Sequence, residues 1–389
     1  MEEIEINSRG VRRVMARHPW VYRSDVIELP KHAGICRVRS GRQALGWAFV
    51  NPLSEITLRF FSFQPAAEPM SEIWSHFERA LVLRQPFLQA DPEGGYRLVS
   101  SEGDGLPGLV IDYYAGVVVM QVGVAALEAY IPQIVEFLRE RVALKGVLLR
   151  HDLHSRELEG LPAEIRVAWG EIPERIWVRE GQVSYLVNPY AGHKTGSYLD
   201  QRENRLWLAS ELSRRGQIGR GLDVFSYQGG FALHMAPYCE SLELVDSSAP
   251  SLALARENLG AAGFANVQFS EGEAFELLRQ RSQKPSYDLV VLDPPPLARH
   301  RADREAAFAA YKEINLRAFK ALRPGGILAT ACCSYHFSFS DFMAAIREAA
   351  GDAHREARIL REATQGFDHP VRIGVPETRY LKFVALEVL

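Results

Sequence analysis

The 389-residue sequence predicts an α/β protein whose C-terminal half is a doubly wound, mostly parallel sheet, carried behind a β-rich module and an α+β segment. Three observations predict it. Beyond about residue 184, strand-like and helix-like runs alternate regularly. Residues 1–68 hold short apolar runs broken by Gly and Pro, and residues 69–183 mix long helical patterns with strand-like runs. With 47% hydrophobic residues the chain can bury more than one core, so two or three domains are expected.

The β-rich module contains "WVYRSDVIEL" and "ALGWAFVN" and is closed by "PAAEP". From 69 to 183, the helix "SEIWSHFERALVLRQPFL" precedes the strands "YRLVSSE", "GLVIDYY" and "VVVMQVG" and a second helix, "ALEAYIPQIVEFLRERV". From 184 to 389 come strand "GLDVFSY", a helix from Gly230, strand "LELVDSS", helix "PSLALARENLGAAG", strand "NVQFSEG", helix "FELLRQRSQ" and strand "YDLVVLDPP". A long helix, strand "GGILATACCS" and helix "SFSDFMAAIREAA" follow. In such sheets ligands gather at the carboxyl ends of the strands, which here carry Ser226, Asp246, Glu271 to Glu273, Asp293 to Pro296, and Cys333 with Ser334.

Composition excludes several classes. The four cysteines, at 36, 239, 332 and 333, lack metal-ligand spacing and secreted-scaffold density, so neither a metal site nor a disulfide framework is expected. The segment "MEEIEINSRG" lacks an apolar signal core, and no run approaches the roughly 18 apolar residues of a membrane span. A soluble cytoplasmic protein with reduced thiols and no membrane partner is expected. Net charge is −3, yet Arg9 to Arg42 holds nine Lys or Arg against Asp25 and Glu28, a net +7. Such a basic stretch is either a solvated face or a surface for phosphates.

The first parallel strand runs into "DVFSYQGGFALHMA", where Gly229 and Gly230 open a helix, and the second ends in Asp246, 23 residues after Asp223. Close backbone approach followed by an acid is nucleoside-binding geometry, because a carboxylate accepts both ribose hydroxyls. The turn is not G-x-G-x-x-G, so no pyrophosphate cradle is evident. One nucleoside without phosphate fits better, and S-adenosyl-L-methionine meets that requirement. Glu273, at the third strand's end, is the candidate for the adenine amine. In "GHKTGSYLDQRENR", Asp200 and Glu203 resemble a capping box that places Gln201 and Arg202 in a helical first turn, able to hold the cofactor's carboxylate or simply to start a helix. The expected contact set is Tyr198, Gln201, Arg202, Asp223, Phe225, Ser226, Gly229, Asp246, Glu273 and Asp293.

Two further strand ends carry chemistry. In "LDPPPL" the prolines stiffen the backbone beside the Asp293 carboxylate. In "TACCSYH" adjacent thiols must point to opposite faces, so at most one can face a site. Carbon 5 of a pyrimidine is a poor nucleophile until a thiolate adds to carbon 6 and makes it enamine-like. Cys333, at the strand terminus, is the candidate nucleophile, with Asp293 as its catalytic companion, and Cys332 is expected in the core. A buried inert cysteine is the competing reading of either.

Taken in order, "HPWVY", "SEGDGLPGLVIDYY", "GHKTGSYLDQR", "FSYQGGFA", "DPP" and "CCS" resemble the ribosomal large-subunit cytosine-C5 methyltransferases that carry an N-terminal pseudouridine-synthase-and-archaeosine-transglycosylase (PUA) domain. The resemblance spans nearly the whole chain. It implies a PUA-like RNA-binding domain over 1–68, a central α+β domain over 69–183 and a Rossmann-like class I methyltransferase domain over 184–389. It also implies 23S ribosomal RNA as substrate and Cys333 as nucleophile. Pro296, Cys332, Tyr335 and His336 depart from the family pattern. Methylation of a base nitrogen on the same fold, or RNA binding without catalysis, are the competing functions, and a homodimer is compatible with all of them.

Overall fold

The computed structural model describes residues 2–298 and 300–389, which divide into two compact units. The first comprises Met1–Arg179, Val187–Leu199 and Phe367–Thr378, and the second comprises Glu180–Leu186, Asp200–Gly366 and Arg379–Leu389.

The first unit contains two five-stranded sheets. Strands β1 (Glu2–Glu5), β2 (Trp20–Val21), β3 (Gly34–Ser40), β4 (Gln43–Val50) and β5 (Leu58–Ser62) pair in the order β1-β3-β4-β5-β2, with β1 parallel to β3 and the other pairs antiparallel. Their inner faces bury Ile4, Val21, Val38 and Phe60. Helix α1 (Ser8–Met15) starts at Asn7, whose side chain accepts the Arg9 and Gly10 amides. The charge of this stretch is partly spent internally. Arg9 and Arg13 both pair with buried Asp25, and Arg39 pairs with Glu5 at 2.8 Å. Arg12, Lys31 and Arg42 are exposed and make no ion pair among the described residues.

In the second sheet, β6 (Gly95–Ser100), β7 (Leu109–Tyr114), β8 (Val117–Val122), β9 (Gly146–His151) and β10 (Glu164–Gly170) are ordered β10-β9-β8-β7-β6, only β8 and β9 running parallel. Its core takes in apolar residues of α2 (Pro69–Ala90) and α4 (Ile131–Arg141); α3 (Ser101–Asp104) and α5 (His154–Leu158) are short. Arg84 of α2 is fully buried and grips Asp104 with two bonds of 2.7 and 2.8 Å.

Strands β11 (Ile176–Glu180) and β12 (Val183–Val187) lie where the chain enters the second unit. That unit is built on β13 (Ile218–Val224), β14 (Cys239–Asp246), β15 (Val267–Glu271), β16 (Tyr287–Leu292), β17 (Leu322–Cys332), β18 (Ala357–Ala363) and β19 (Lys382–Val388). The order is β15-β14-β13-β16-β17-β19-β18, the first five parallel and β19 antiparallel to both neighbours. Helices α6 (Arg202–Arg215), α7 (Gly230–Met235), α8 (Ala249–Ala261), α9 (Ala274–Arg281), α10 (Arg304–Ala321) and α11 (Phe339–Asp352) alternate with the strands. Strand order reverses between β14 and β16 around β13, the switch point at which such sheets take ligands.

The division differs from a continuous 184–389 domain because two excursions belong to the first unit. Thr195 donates to Asp112 at 2.6 Å and meets the Tyr114 hydroxyl at 2.8 Å, while Arg84 donates to the Asp368 carbonyl at 2.6 Å. No helix of the described residues is long and apolar enough to cross a membrane.

Candidate functional site

The carboxyl ends of β13, β14, β16 and β17 carry most of the singled-out residues. After β13 the backbone turns sharply: Phe225 and Tyr227 adopt left-handed φ of 63° and 48°, and Gly229 has φ 82° before α7. Two non-glycine residues in that region cost on the order of 1 kcal/mol each, so the surroundings must hold them. Asp246 does so. One carboxylate oxygen accepts the Tyr227 amide at 2.8 Å and the other the Ser248 amide at 2.9 Å. Each oxygen keeps a lone pair for a further donor.

Asp223, at the end of β13, is buried and accepts the Ala232 amide at 3.1 Å. Burial pushes its carboxyl well above the usual range, and the negative charges of Asp293 and Asp246 push it the same way. Three carboxyl groups thus converge at neighbouring strand ends, and the charges of Asp246 and Asp293 favour a cationic ligand. Ser226 adds a buried hydroxyl without a hydrogen-bond partner among the described residues. A nucleoside with ribose hydroxyls and a positively charged sulfonium and ammonium suits this donor set, so the residues present fit S-adenosyl-L-methionine.

Around Asp293, Gln201 donates from Nε2 to Oδ1 at 2.8 Å, and Asn204 fixes the amide by donating to Gln201 Oε1 at 2.7 Å. The capping box is not formed. A 3₁₀ turn over Leu199–Gln201 makes Gln201 the residue before α6, with no side-chain cap, and Asp200 instead accepts the Tyr380 hydroxyl at 2.8 Å. Arg202 is the first residue of α6, is buried, and donates to Glu203 at 3.0 Å. Glu273 lies past the end of β15, where its exposed side chain caps α9 by accepting the Glu276 amide at 3.0 Å. Tyr198 falls in the first unit, with the Lys194 ammonium 4.4 Å from its ring centroid and His193 Nδ1 3.2 Å from its hydroxyl.

At the end of β17, Cys332 is fully buried and Cys333 partly exposed, the alternation a strand imposes. Cys333 Sγ lies 3.6 Å from the Pro294 carbonyl, one residue beyond Asp293. Burial raises the Cys332 thiol, against the nearby Lys382 charge. Ser334 ties the strand end to three other elements. Its Oγ accepts the Ala298 amide at 3.1 Å and meets the Tyr311 hydroxyl at 3.0 Å, and its carbonyl accepts Lys382 Nζ at 2.6 Å. The sequence reading missed Asn204, Tyr311 and Lys382. Only Lys382 left a local trace, as a lone charge in the apolar run "YLKFVAL". Among the described residues no group of three or more His, Cys, Asp or Glu could hold a metal ion.

Residues 4–63 match the model of a PUA-like domain, and residues 219–365 that of a methyltransferase domain. Over 404 aligned residues the chain is 33% identical to "Ribosomal RNA large subunit methyltransferase I" of Shewanella denitrificans, covering 99% of each protein. The protein of that name from Aeromonas salmonicida is 34% identical, with 95% of each covered. The chain belongs to the ribosomal RNA large subunit methyltransferase I family. A putative SAM-dependent methyltransferase from Streptococcus mutans superposes over the full length of both chains with a TM-score of 0.82 at 20% identity. The structure of SMU.776, a putative methyltransferase complexed with SAH, does so at 0.83 and 21%. In this family member, then, the seven-stranded sheet is a class I methyltransferase fold and the β1-β3-β4-β5-β2 sheet belongs to a PUA-like domain.

Proposed function

We propose that the protein transfers a methyl group from S-adenosyl-L-methionine to carbon 5 of a cytosine in 23S ribosomal RNA, through a covalent adduct at Cys333. The reading also places its work in the cytoplasm. The observation that carries it is a partly exposed thiol at the end of β17, its sulfur 3.6 Å from the carbonyl of the residue after Asp293. The names of the relatives supply the substrate class. When bound, S-adenosyl-L-methionine supplies an electrophilic methyl on a sulfonium.

The chain's own residues divide the remaining work. Asp246 is suited to the ribose hydroxyls, Ser226 and the turn from Phe225 to Gly229 to close approach, Glu273 to the adenine amine, and Gln201 and Arg202 to the methionine carboxylate. Asp223 orders the start of α7 by accepting the Ala232 amide. The Cys333 thiolate forms the Sγ–C6 bond, and the C5–C6 π pair becomes available at carbon 5 while the Asp293 carboxylate accepts a hydrogen bond from the amino group beside N3. After methylation the carbon 5 proton leaves to a base, its pair restores the double bond, and the Sγ–C6 bond breaks to return the thiolate.

Mapping the missing methyl in RNA from a deletion strain names the nucleotide. RNA carrying 5-fluorocytosine tests the chemistry, because fluorine cannot leave as a proton does and the adduct accumulates. Wild-type and Cys332→Ala protein should be trapped, and Cys333→Ala should not. An adduct that survives in Cys333→Ala and vanishes in Cys332→Ala would move the nucleophile to Cys332, and none in any variant favours a base nitrogen as the methyl acceptor.

A further inference from the structure

Lys382 opens β19, where the antiparallel register sets it opposite Cys332. Its side chain is only 7% exposed. An ammonium is costly to bury and is ordinarily compensated by a carboxylate. Here there is none: among the described residues Nζ donates to two neutral acceptors, the Ser334 carbonyl at 2.6 Å and the Tyr380 carbonyl at 2.9 Å. Two carbonyls take two of its three protons, and no anion answers its charge. The ionisable groups whose charge acts on it are the thiols of Cys332 and Cys333.

Resting on Cys333 as nucleophile, we propose that Lys382 is its positioning residue: the ammonium pins the backbone just past the thiol through Ser334 and is the standing countercharge for the thiolate formed there. Ser334 makes this attachment rigid, because its hydroxyl is held in turn by the Ala298 amide and the Tyr311 hydroxyl. Burial lowers the proton affinity of Lys382 itself, and a thiolate at either cysteine would raise it again, so the two groups charge together. The other ionisable groups around the thiol are Cys332 and Tyr311, both held neutral by burial, Asp293, one residue before the Pro294 carbonyl that the sulfur meets, and the exposed His336, three positions along the chain. The ammonium acts on both thiols; burial keeps Cys332 raised against it, and Cys333, partly exposed, is the one left able to ionise.

The test is the pH dependence of iodoacetamide alkylation at Cys333, read by peptide mass spectrometry on the intact protein without RNA. Cys36, Cys239 and Cys332 are buried and their thiols raised, so they react slowly. In the wild type the midpoint should fall below the free-thiol value of about 8.5. In Lys382→Met it should rise by roughly one pH unit or more, with cofactor binding retained by calorimetry. A wild-type midpoint at or above 8.5, or the same midpoint in wild type and Lys382→Met, would overturn the proposal. The wild-type titration decides even if the variant fails to fold. Methyl transfer surviving in Cys333→Ala would remove the nucleophile reading, a result separate from either alkylation outcome.

Discussion

Gln201 and Asp293, 92 positions apart, are joined by a 2.8 Å hydrogen bond in which the amide donates to the carboxylate, and Asn204 locks that amide from behind. The carboxylate is therefore aimed before any base arrives. A hydrogen bond to a charged group is worth about 1.5–3 kcal/mol, so Gln201→Ala should slow methyl transfer roughly 10- to 100-fold. Transfer of labelled methyl into unmodified large-subunit RNA checks it, and an unchanged kcat would show that Asp293 needs no such anchor.

Asp246→Ala should weaken S-adenosyl-L-methionine binding roughly 100-fold, because the variant loses two hydroxyl acceptors and also the clamp on the Tyr227 and Ser248 amides. Calorimetry reads this directly. Equal affinity in variant and wild type would remove Asp246 from the cofactor site.

Asp223 imposes a pH dependence on stability. Its folded carboxyl titrates above the unfolded value, so between the two the folded state holds a proton that the unfolded chain has released. Stability from this residue is complete below the unfolded pKa of about 4 and is lost as pH rises through the raised folded value. Asp223→Asn removes that slope while keeping an acceptor for the Ala232 amide. The melting temperature of the variant relative to wild type should therefore climb between pH 5 and pH 8, and a constant difference would contradict the shift.

Arg12 and Arg9 should behave differently toward RNA. Arg12 is exposed without an ion pair among the described residues, whereas Arg9 is committed to Asp25. Arg12→Ala should reduce the slope of log affinity against log salt by about one, and Arg9→Ala should cost mainly stability of the N-terminal sheet. Filter binding at several salt concentrations distinguishes them; identical slopes for Arg12→Ala and wild type would take Arg12 off the RNA surface.

The five parallel strands and their helices were legible because strands covered on both faces read as short apolar runs with Gly or Asp at their ends. The final hairpin was not. In β18, Arg358, Arg361 and Glu362 break up the apolar pattern, and β19 begins on Lys382, whose burial depends on carbonyls that only the folded chain assembles. The Asp200–Glu203 spacing suits a capping box, yet the 3₁₀ turn before α6 and the pull of Tyr380 on Asp200 override it. Asp223, Ser226, Asp246 and Asp293 could be placed together from strand ends alone. Gln201 beside Asp293 could not, because no local pattern encodes a contact across 92 positions.

The chain passes between the two units five times, at Arg179/Glu180, Leu186/Val187, Leu199/Asp200, Gly366/Phe367 and Thr378/Arg379. Synthesis runs from the N-terminus, so the last piece of the first unit, Phe367–Thr378, is made only after the long Asp200–Gly366 stretch of the second. The first unit thus cannot be finished until residues 200–366 of the second have been made. Arg84 can pair with Asp104 early, but its bond to the Asp368 carbonyl must wait while almost 300 residues are added. N-terminal domains that fold as independent units can do so during synthesis. Here both five-stranded sheets lie within the first 170 residues and can pair early, whereas the Phe367–Thr378 segment joins them only after residues 200–366 have been made.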